Sequence, residues 1–382
     1  MSLPLENIRV LDLTRLLPGP FCTLMLADFG ADVIKIEEKG TGDYIRWDEP
    51  MIDDERSAMF CSLNRNKRSV TLNLKSEEDK QIFYELVKEA DVLIESFRPG
   101  VMNRLGLGYE SLRVQNKKLI YCALTGYGQD GPYASLPGHD INYLSYSALL
   151  DLQGVSNGKP AHSPMQIADI AGGAQMALSG ILLALIERSK SGEGQFVDIS
   201  MMDGSISVLQ TLLPNYLVSG ELPKRGETTL TGGRACYEVY QTKENRYLSV
   251  GALEPKFWRE FCKTIGQESL IELLDAPPEI QNNMKQKIQS IIIQKTLSEW
   301  VEIFDGVNAC VSPVLNFEEM MKDPQVLKRE MIRDVEFSNN LKVKQIGIPI
   351  KLSKTPGKIR LAPPKLGEHN DEIFNELGIK QK

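Results

Sequence analysis

Three short segments near the start of the chain constrain the fold most. Ile8–Thr14 (IRVLDLT) and Ala31–Glu37 (ADVIKIE) are apolar runs of strand length. Between them, Phe21–Phe29 has helical character and stops at Gly30, a natural C-cap. Strand, helix and strand in such quick succession make a βαβ unit, which requires a parallel pair joined by a right-handed crossover. No GxGxxG occupies its first turn, so the dinucleotide-binding fingerprint is absent.

The pattern repeats. Arg68–Leu74 (RSVTLNL) reads as a strand, and Ser76 opens a capping signal for a helix to about Glu89. Asp91–Phe97 (DVLIESF) and Leu119–Thr125 (LIYCALT) are further strands. Residues 1–125 therefore predict an α/β doubly wound unit. Its strands end at Arg98-Pro99-Gly100 and at Gly126–Asp140, the edge where open α/β sheets bind ligands. Gly173–Lys190 is expected to be a long apolar helix, followed by a strand at Gln195–Ser200 and a connector at Leu222–Gly233. Beyond it, Arg234–Gln241 and Arg246–Gly251 alternate like a hairpin. Helices are predicted at Pro255–Ile265, Glu279–Phe304 and Phe317–Ile332, with a strand at Cys310–Leu315, giving a smaller α+β domain. A second hairpin is expected at Val335–Phe337 and Val343–Leu352, and a helix at Gly367–Gly378.

Composition narrows the function classes. A length of 382 residues allows two domains and a large core. No secretory signal is evident, no window approaches the ~20 apolar residues of a membrane span, and the final Ile-Lys-Gln-Lys is no peroxisomal signal. A cytoplasmic protein is expected, with no membrane partner. A net charge of −7 argues against a nucleic-acid surface, so contacts to any anionic ligand must be concentrated locally. The six cysteines are scattered without metal-ligand spacing and read as buried thiols.

The chemistry is expected between Leu124 and Gly173. Gly126, Gly128, Gly131, Pro132, Pro137 and Gly138 crowd the approach to His139, which predicts a loop of tight turns. His139 and Asp169 are the two side-chain types most used to move protons near neutral pH. Asp140 is equally suited to capping a helix from Ile141, and Gly172-Gly173 to close backbone approach by a ligand. Arg65, Lys67, Arg68 and Lys75 bracket one strand, and Arg98 and Arg104 flank the Pro99-Gly100 turn. Singly each reads as solvated surface; as a set at a ligand edge they can hold phosphates. Glu254, at a helix start, reads alone as a dipole-complementary residue. His162 and His369 read as surface or structural residues.

Several stretches carry a resemblance. LPGPFCTLMLADFGADVIKIE, NRNKRSVTLNLK, DVLIESFRPGVMNRLGLGYESL, LIYCALTGYGQDGPYASLPGHDINY and GEGQFVDISMMDGS are similar to the family III CoA-transferase superfamily. GHDINY and GALEPKFW resemble its α-methylacyl-CoA racemase branch. The resemblance implies an acyl-CoA substrate, no metal and no cofactor beyond the CoA of the substrate. It implies a large Rossmann-like domain, 1–221 completed by 334–382, a small α+β domain at 222–333, and an interlocked homodimer. His139, Asp169 and Glu254 fall on its catalytic positions, with Tyr237 near Glu254. Arg98, Arg104, Lys75 and the run holding Arg65, Lys67 and Arg68 fall on segments lining its CoA site. One departure stands out: Glu37-Glu38-Lys39-Gly40 replaces the Glu-Arg-Pro-Gly of many members, leaving Lys39 as the substitute contact. The implied reaction is racemisation of 2-methylacyl-CoA thioesters through an enolate, its oxygen held by backbone N–H groups near Asp169. The alternatives are CoA transfer through an acyl anhydride on Asp169, and a non-catalytic CoA-ester binding protein.

Overall fold

A computed structural model describes residues 2–337 and 341–379, so the last three residues of the terminal Ile-Lys-Gln-Lys lie outside it. The chain divides into two units, residues 1–148, 164–209 and 324–382 in one, and 149–163 and 210–323 in the other. The smaller unit thus takes 149–163, a stretch that the resemblance places in the large domain. Arg225 explains the assignment: its guanidinium donates to Asp151 Oδ1 at 2.7 Å and also to the carbonyls of Asp151 and Gly158. Partners more than sixty positions away leave no local signal.

The larger unit is built on six strands: β1 (Arg9–Asp12), β2 (Asp32–Glu37), β3 (Lys67–Thr71), β4 (Val92–Glu95), β5 (Ile120–Thr125) and β6 (Phe196–Ser200). All pairings are parallel, in the order β3-β2-β1-β4-β5-β6. β4 and β5 are buried throughout, as expected of parallel strands covered on both faces. On one face, Leu11, Ile34, Val70, Leu93 and Tyr121 pack with Phe83, Leu86 and Val87 of helix α2 (Glu77–Glu89) and with Ile373 near the C-terminus. Helix α1 (Pro18–Asp28) starts on two prolines and is buried almost all round, so it carries no polar face. The C-terminal segment returns along edge strand β3, where Ser69 N–H donates to His369 Nδ1 at 3.2 Å and Thr71 N–H to Asn370 Oδ1 at 2.9 Å. His369 is therefore structural.

Three helical pieces frame the middle of this unit: α3 (Asp140–Tyr146), a π-helical turn Ala168–Ala174 running into α4 (Gln175–Ser191), and α5 (Met201–Ser207). The expectation that no stretch approaches membrane-spanning length is corrected here. Ala168–Ser191 forms 24 continuous helical residues holding an 18-residue window of mean hydropathy 1.6, long and apolar enough by length and composition alone. The π turn extends the helix beyond the start expected at Gly173. A core helix passes the same test, and this one packs on α1, β5 and β6.

The smaller unit holds an antiparallel sheet of β7 (Tyr237–Gln241), β8 (Tyr247–Gly251) and β9 (Val311–Pro313), with Asn245 at positive φ in the hairpin turn. Its core gathers Trp258, Phe261, Ile288, Trp300 and Tyr240. The single helix expected at Glu279–Phe304 is two, α7 (Pro278–Ile292) and α8 (Leu297–Phe304), after α6 (Pro255–Thr264). A capping box between Thr296 and Glu299 restarts the chain. The helix expected over Phe317–Ile332, opened by a second capping box at Asn316 and Glu319, is likewise broken into Phe317–Met320 and Pro324–Lys328, the second starting on Pro324. Five cysteines are buried; Cys310, at positive φ, is exposed, which corrects its expected burial.

Candidate active site

The strand order reverses between β1 and β4, and a cavity of ≈ 730 Å³ opens at the C-terminal ends of these strands and β5. β1 leads into Arg15, Leu16 and Pro18; β4 into Ser96, Phe97, Arg98 and Pro99; β5 into Gly126 and Tyr127. Gly138, His139, Tyr143 and Asp169 complete the wall, with Tyr44 and Met201. The cavity therefore brings His139 and Asp169 together from segments thirty positions apart.

His139 is the N-cap residue of α3, its N–H donating to Asn142 Oδ1 at 3.0 Å and its carbonyl accepting from Asn142 N–H at 2.8 Å. Asp140 is the first helical residue, and its carboxylate does not cap its own helix: Oδ1 accepts the backbone N–H of Asp169 at 3.0 Å. One residue thus joins the His139 helix to the Asp169 turn. It also removes the Asp169 N–H from the enolate-holding donors expected there. Asp169 is half-buried, and burial first, then the Asp140 charge, raises its carboxyl to about 7. Burial also raises the Asp140 carboxyl, against the N–H groups of Asp169 and Ala168. A carboxyl poised near neutrality beside an imidazole can either accept or donate a proton.

The glycines before His139 make room for tyrosines. A Cβ at Gly126 would sit 2.3 Å from the Tyr143 ring, and Tyr143 donates its hydroxyl proton to the Gly138 carbonyl at 2.6 Å. Tyr127 packs edge-on against Tyr143 and Tyr146 at 5.1 and 5.7 Å, and Tyr133 lies 4.7 Å from Tyr146. Aromatic rings therefore fill the inside of the loop. Gly172 and Gly204 have a different role from the ligand approach expected at Gly172-Gly173. A Cβ at Gly204 would lie 2.0 Å from the Gly172 carbonyl oxygen, so these two glycines let α5 touch the π turn carrying Asp169.

The cations divide sharply. Arg98 lines the cavity and is exposed. Arg65, Lys67 and Arg68, expected to contact phosphate, are not among the residues that line it. Arg65 pairs with Asp28 at 2.7 Å and donates to the Ile346 carbonyl. Lys67 is wholly buried on Asp12, Thr23, Asn64 and the Pro20 carbonyl. Burial pulls its ammonium below the ordinary lysine value although Asp12 opposes this. Arg68 binds Asp32, Glu372 and Glu376. Lys75 and Arg104 are exposed and stand off the cavity wall, and Lys39 pairs with Asp79 at 2.7 Å. Among the described residues, no group of three or more His, Cys, Asp or Glu side chains could hold a metal ion.

Glu254 and Tyr237 belong to the smaller unit, where both are exposed at one end of its sheet. Tyr237 pairs with Gly251 at the end of β8, and Glu254 is the N-cap residue of α6, accepting Trp258 N–H through its carbonyl at 3.0 Å. Its carboxylate makes no capping bond. His162 lies exposed in a loop of the same unit. Arg15, Tyr44, Tyr127 and Tyr143 also line the cavity; Arg15 and Tyr127 come just after strand ends, a signal that marks them, whereas Tyr44 and Tyr143 lie in helical turns that carry none.

The model of CoA-transferase family III matches residues 5–370. The chain is 37% identical over 384 residues to an alpha-methylacyl-CoA racemase of Homo sapiens, covering 99% of this chain and 94% of that protein. It is 36% identical over 387 residues to a succinate–glutarate CoA-transferase of Agrobacterium fabrum, covering 98% and 96%. A crystal structure of a CAIB/BAIF family protein from Brucella suis superposes with a TM-score of 0.86 at 31% identity, over 99% of this chain and all of that one.

Proposed function

This chain belongs to CoA-transferase family III, and from that premise we propose that it is an acyl-CoA racemase or epimerase acting at the α-carbon of a 2-methylacyl-CoA. The observation that carries the reading is that His139 and Asp169 line one cavity, with the Asp169 carboxyl raised to about 7. The thioester carbonyl acidifies the α-hydrogen, so no further cofactor is needed. For one enantiomer Asp169 takes that proton, the C–H electron pair moves into the enolate, and His139 returns a proton to the opposite face. For the other enantiomer the roles exchange. A group poised near neutrality serves both directions, which a carboxyl at its ordinary value serves poorly. We further propose that the enzyme works as a homodimer. Leu183 and Ile186 stand 67% and 56% exposed on α4, an apolar face suited to a second copy.

A second reading is favoured by the transferase relative at nearly the same identity as the racemase. In it, the Asp169 carboxylate attacks the thioester carbonyl, CoA leaves as thiolate, and a mixed anhydride forms. That route gives His139 no evident task, so it ranks second. Proton NMR in deuterium oxide separates the two. With one enantiomer of a 2-methylacyl-CoA and no acid acceptor, racemisation with α-deuterium incorporation is expected. An inert α-hydrogen, with CoA exchange on adding a free acid, would assign the transferase instead.

A further inference from the structure

Arg15 is a cation of the cavity wall whose setting is built from the buried side. The chain turns through Leu16 at φ 65°, and Leu16 N–H donates to Asp43 Oδ1 at 3.1 Å. Lys35 Nζ donates to the Thr14 carbonyl at 2.9 Å and pairs with Asp43 at 2.9 Å, both side chains being fully buried. The residues on either side of Arg15 are thus tied to one interior ion pair. The guanidinium donates to the Tyr44 hydroxyl at 2.6 Å and lies 4.9 Å from the Tyr44 ring centre and 5.9 Å from that of Phe97, both cavity residues. Its carboxylate partner is Glu38 at 3.4 Å, whose side chain is 53% exposed. Such an exposed pair is weak. By contrast Arg46 is closed off at 2.6 Å by the buried Glu37, and Arg65 at 2.7 Å by the buried Asp28. Arg15 keeps most of its planar donor fork for something else.

We propose that Arg15 is an anion-recognising residue of the cavity, taking an oxyanion carried by the bound thioester. This rests on the acyl-CoA reading and deepens it. A planar guanidinium matches the paired oxygens of a carboxylate or a phosphate. The oxyanion is either a carboxylate on the acyl group, which makes the substrate the monothioester of a branched diacid, or a phosphate of CoA itself.

Isothermal titration with four probes tests this: CoA, 2-methylbutanoyl-CoA, 2-methylsuccinyl-CoA and the 2-methylsuccinyl thioester of pantetheine, which has no phosphate. Arg15→Ala and Arg15→Gln are compared with the wild type, and each variant's melting temperature confirms its fold. At least about a tenfold rise in Kd is expected for an oxyanion-bearing probe, with partial recovery in Arg15→Lys, which keeps the charge but not the fork. Loss confined to the two methylsuccinyl thioesters assigns the acyl carboxylate. Equal loss for the three CoA compounds, with none for the pantetheine thioester, assigns a phosphate. Kd values within twofold of wild type for all four, in a folded variant, overturn the proposal alone. A wild type that binds none of the thioesters overturns the acyl-CoA reading, and this proposal with it.

Discussion

Asp169 and Glu95 are two carboxyls held near neutrality, and they do different things with it. Asp169 lines the same cavity as His139. If both act as bases, His139→Ala removes proton transfer at one face only. Racemisation should fall by ~10²–10⁴-fold, the usual contribution of a positioned general base. Exchange of the α-hydrogen with deuterium should persist, with configuration retained, for the enantiomer that faces Asp169. Asp169→Asn should give the mirror-image pattern, and stereospecific exchange measured for each enantiomer checks both. Near-normal racemisation by His139→Ala would end the two-base mechanism. Glu95 lies at the end of β4, 5% exposed, accepting the Phe97 N–H at 2.7 Å. Burial raises its carboxyl to about 7, against the Phe97 N–H and the Tyr121 hydroxyl. The folded chain therefore holds a proton that the unfolded chain releases above 4.5, the ordinary value of a glutamate. Stability from this group is fully present below that value and is lost as pH rises through about 7, by up to ~1.4 kcal/mol per pH unit. Glu95→Gln should accordingly melt higher than the wild type at pH 8, with the difference shrinking toward pH 4. A constant difference across that range would refute the assignment.

At the level of elements, the contact that places Asp169 is backbone against backbone. The π turn Ala168–Ala174 meets α5 through Gly172 and Gly204, where an added Cβ would fall 2.0 Å from a carbonyl oxygen. Neither helix can give way cheaply, since Gly172, Ala174, Met201 and Ser205 are all buried. Gly204→Ala should cost ~1–3 kcal/mol, as overpacking does, and should lower turnover more than substrate affinity by shifting the Asp169 turn. Chemical denaturation and steady-state kinetics on the variant measure the two effects. Such a contact is hard to read from sequence, because a glycine pair for helix packing looks like a glycine pair for ligand approach. The six strands were legible, since continuous apolar runs of strand length have few other readings in an α/β chain. Helix breaks in the smaller unit were less so. Thr296 and Glu299 sit inside an unbroken helical pattern, and only their reciprocal hydrogen bonds reveal a new start.

Over the whole molecule, what the sequence disclosed depended on how local the cause was. His139, Asp169 and Arg98 could be found because loops at strand ends face one edge of a parallel sheet. Arg65, Lys67 and Arg68 look like an open basic surface in sequence because their carboxylate partners Asp28, Asp12 and Asp32 lie 36 to 55 positions away. Surface burial by a second copy is also a global property, and the exposed apolar side chains give it a test. Val218 is 91% exposed, Leu217 72% and Leu222 76% in the smaller unit, and Leu183 is 67% exposed in the larger. Exposed apolar side chains of this kind suit burial by a second copy, because leaving them in water forfeits about 25 cal/mol for each Å². A net charge of −7 does not favour close approach of two copies, so apolar burial must outweigh that repulsion. Added salt should therefore leave the dimer intact or tighten it, whereas an ion-pair interface would loosen. Analytical ultracentrifugation is expected to give twice the chain mass down to nanomolar concentration, unchanged between low and high salt. Leu183→Lys combined with Val218→Lys should lower that mass or leave a protein that does not fold. A folded, fully active monomer in either the wild type or the double variant would remove the dimer from the mechanism.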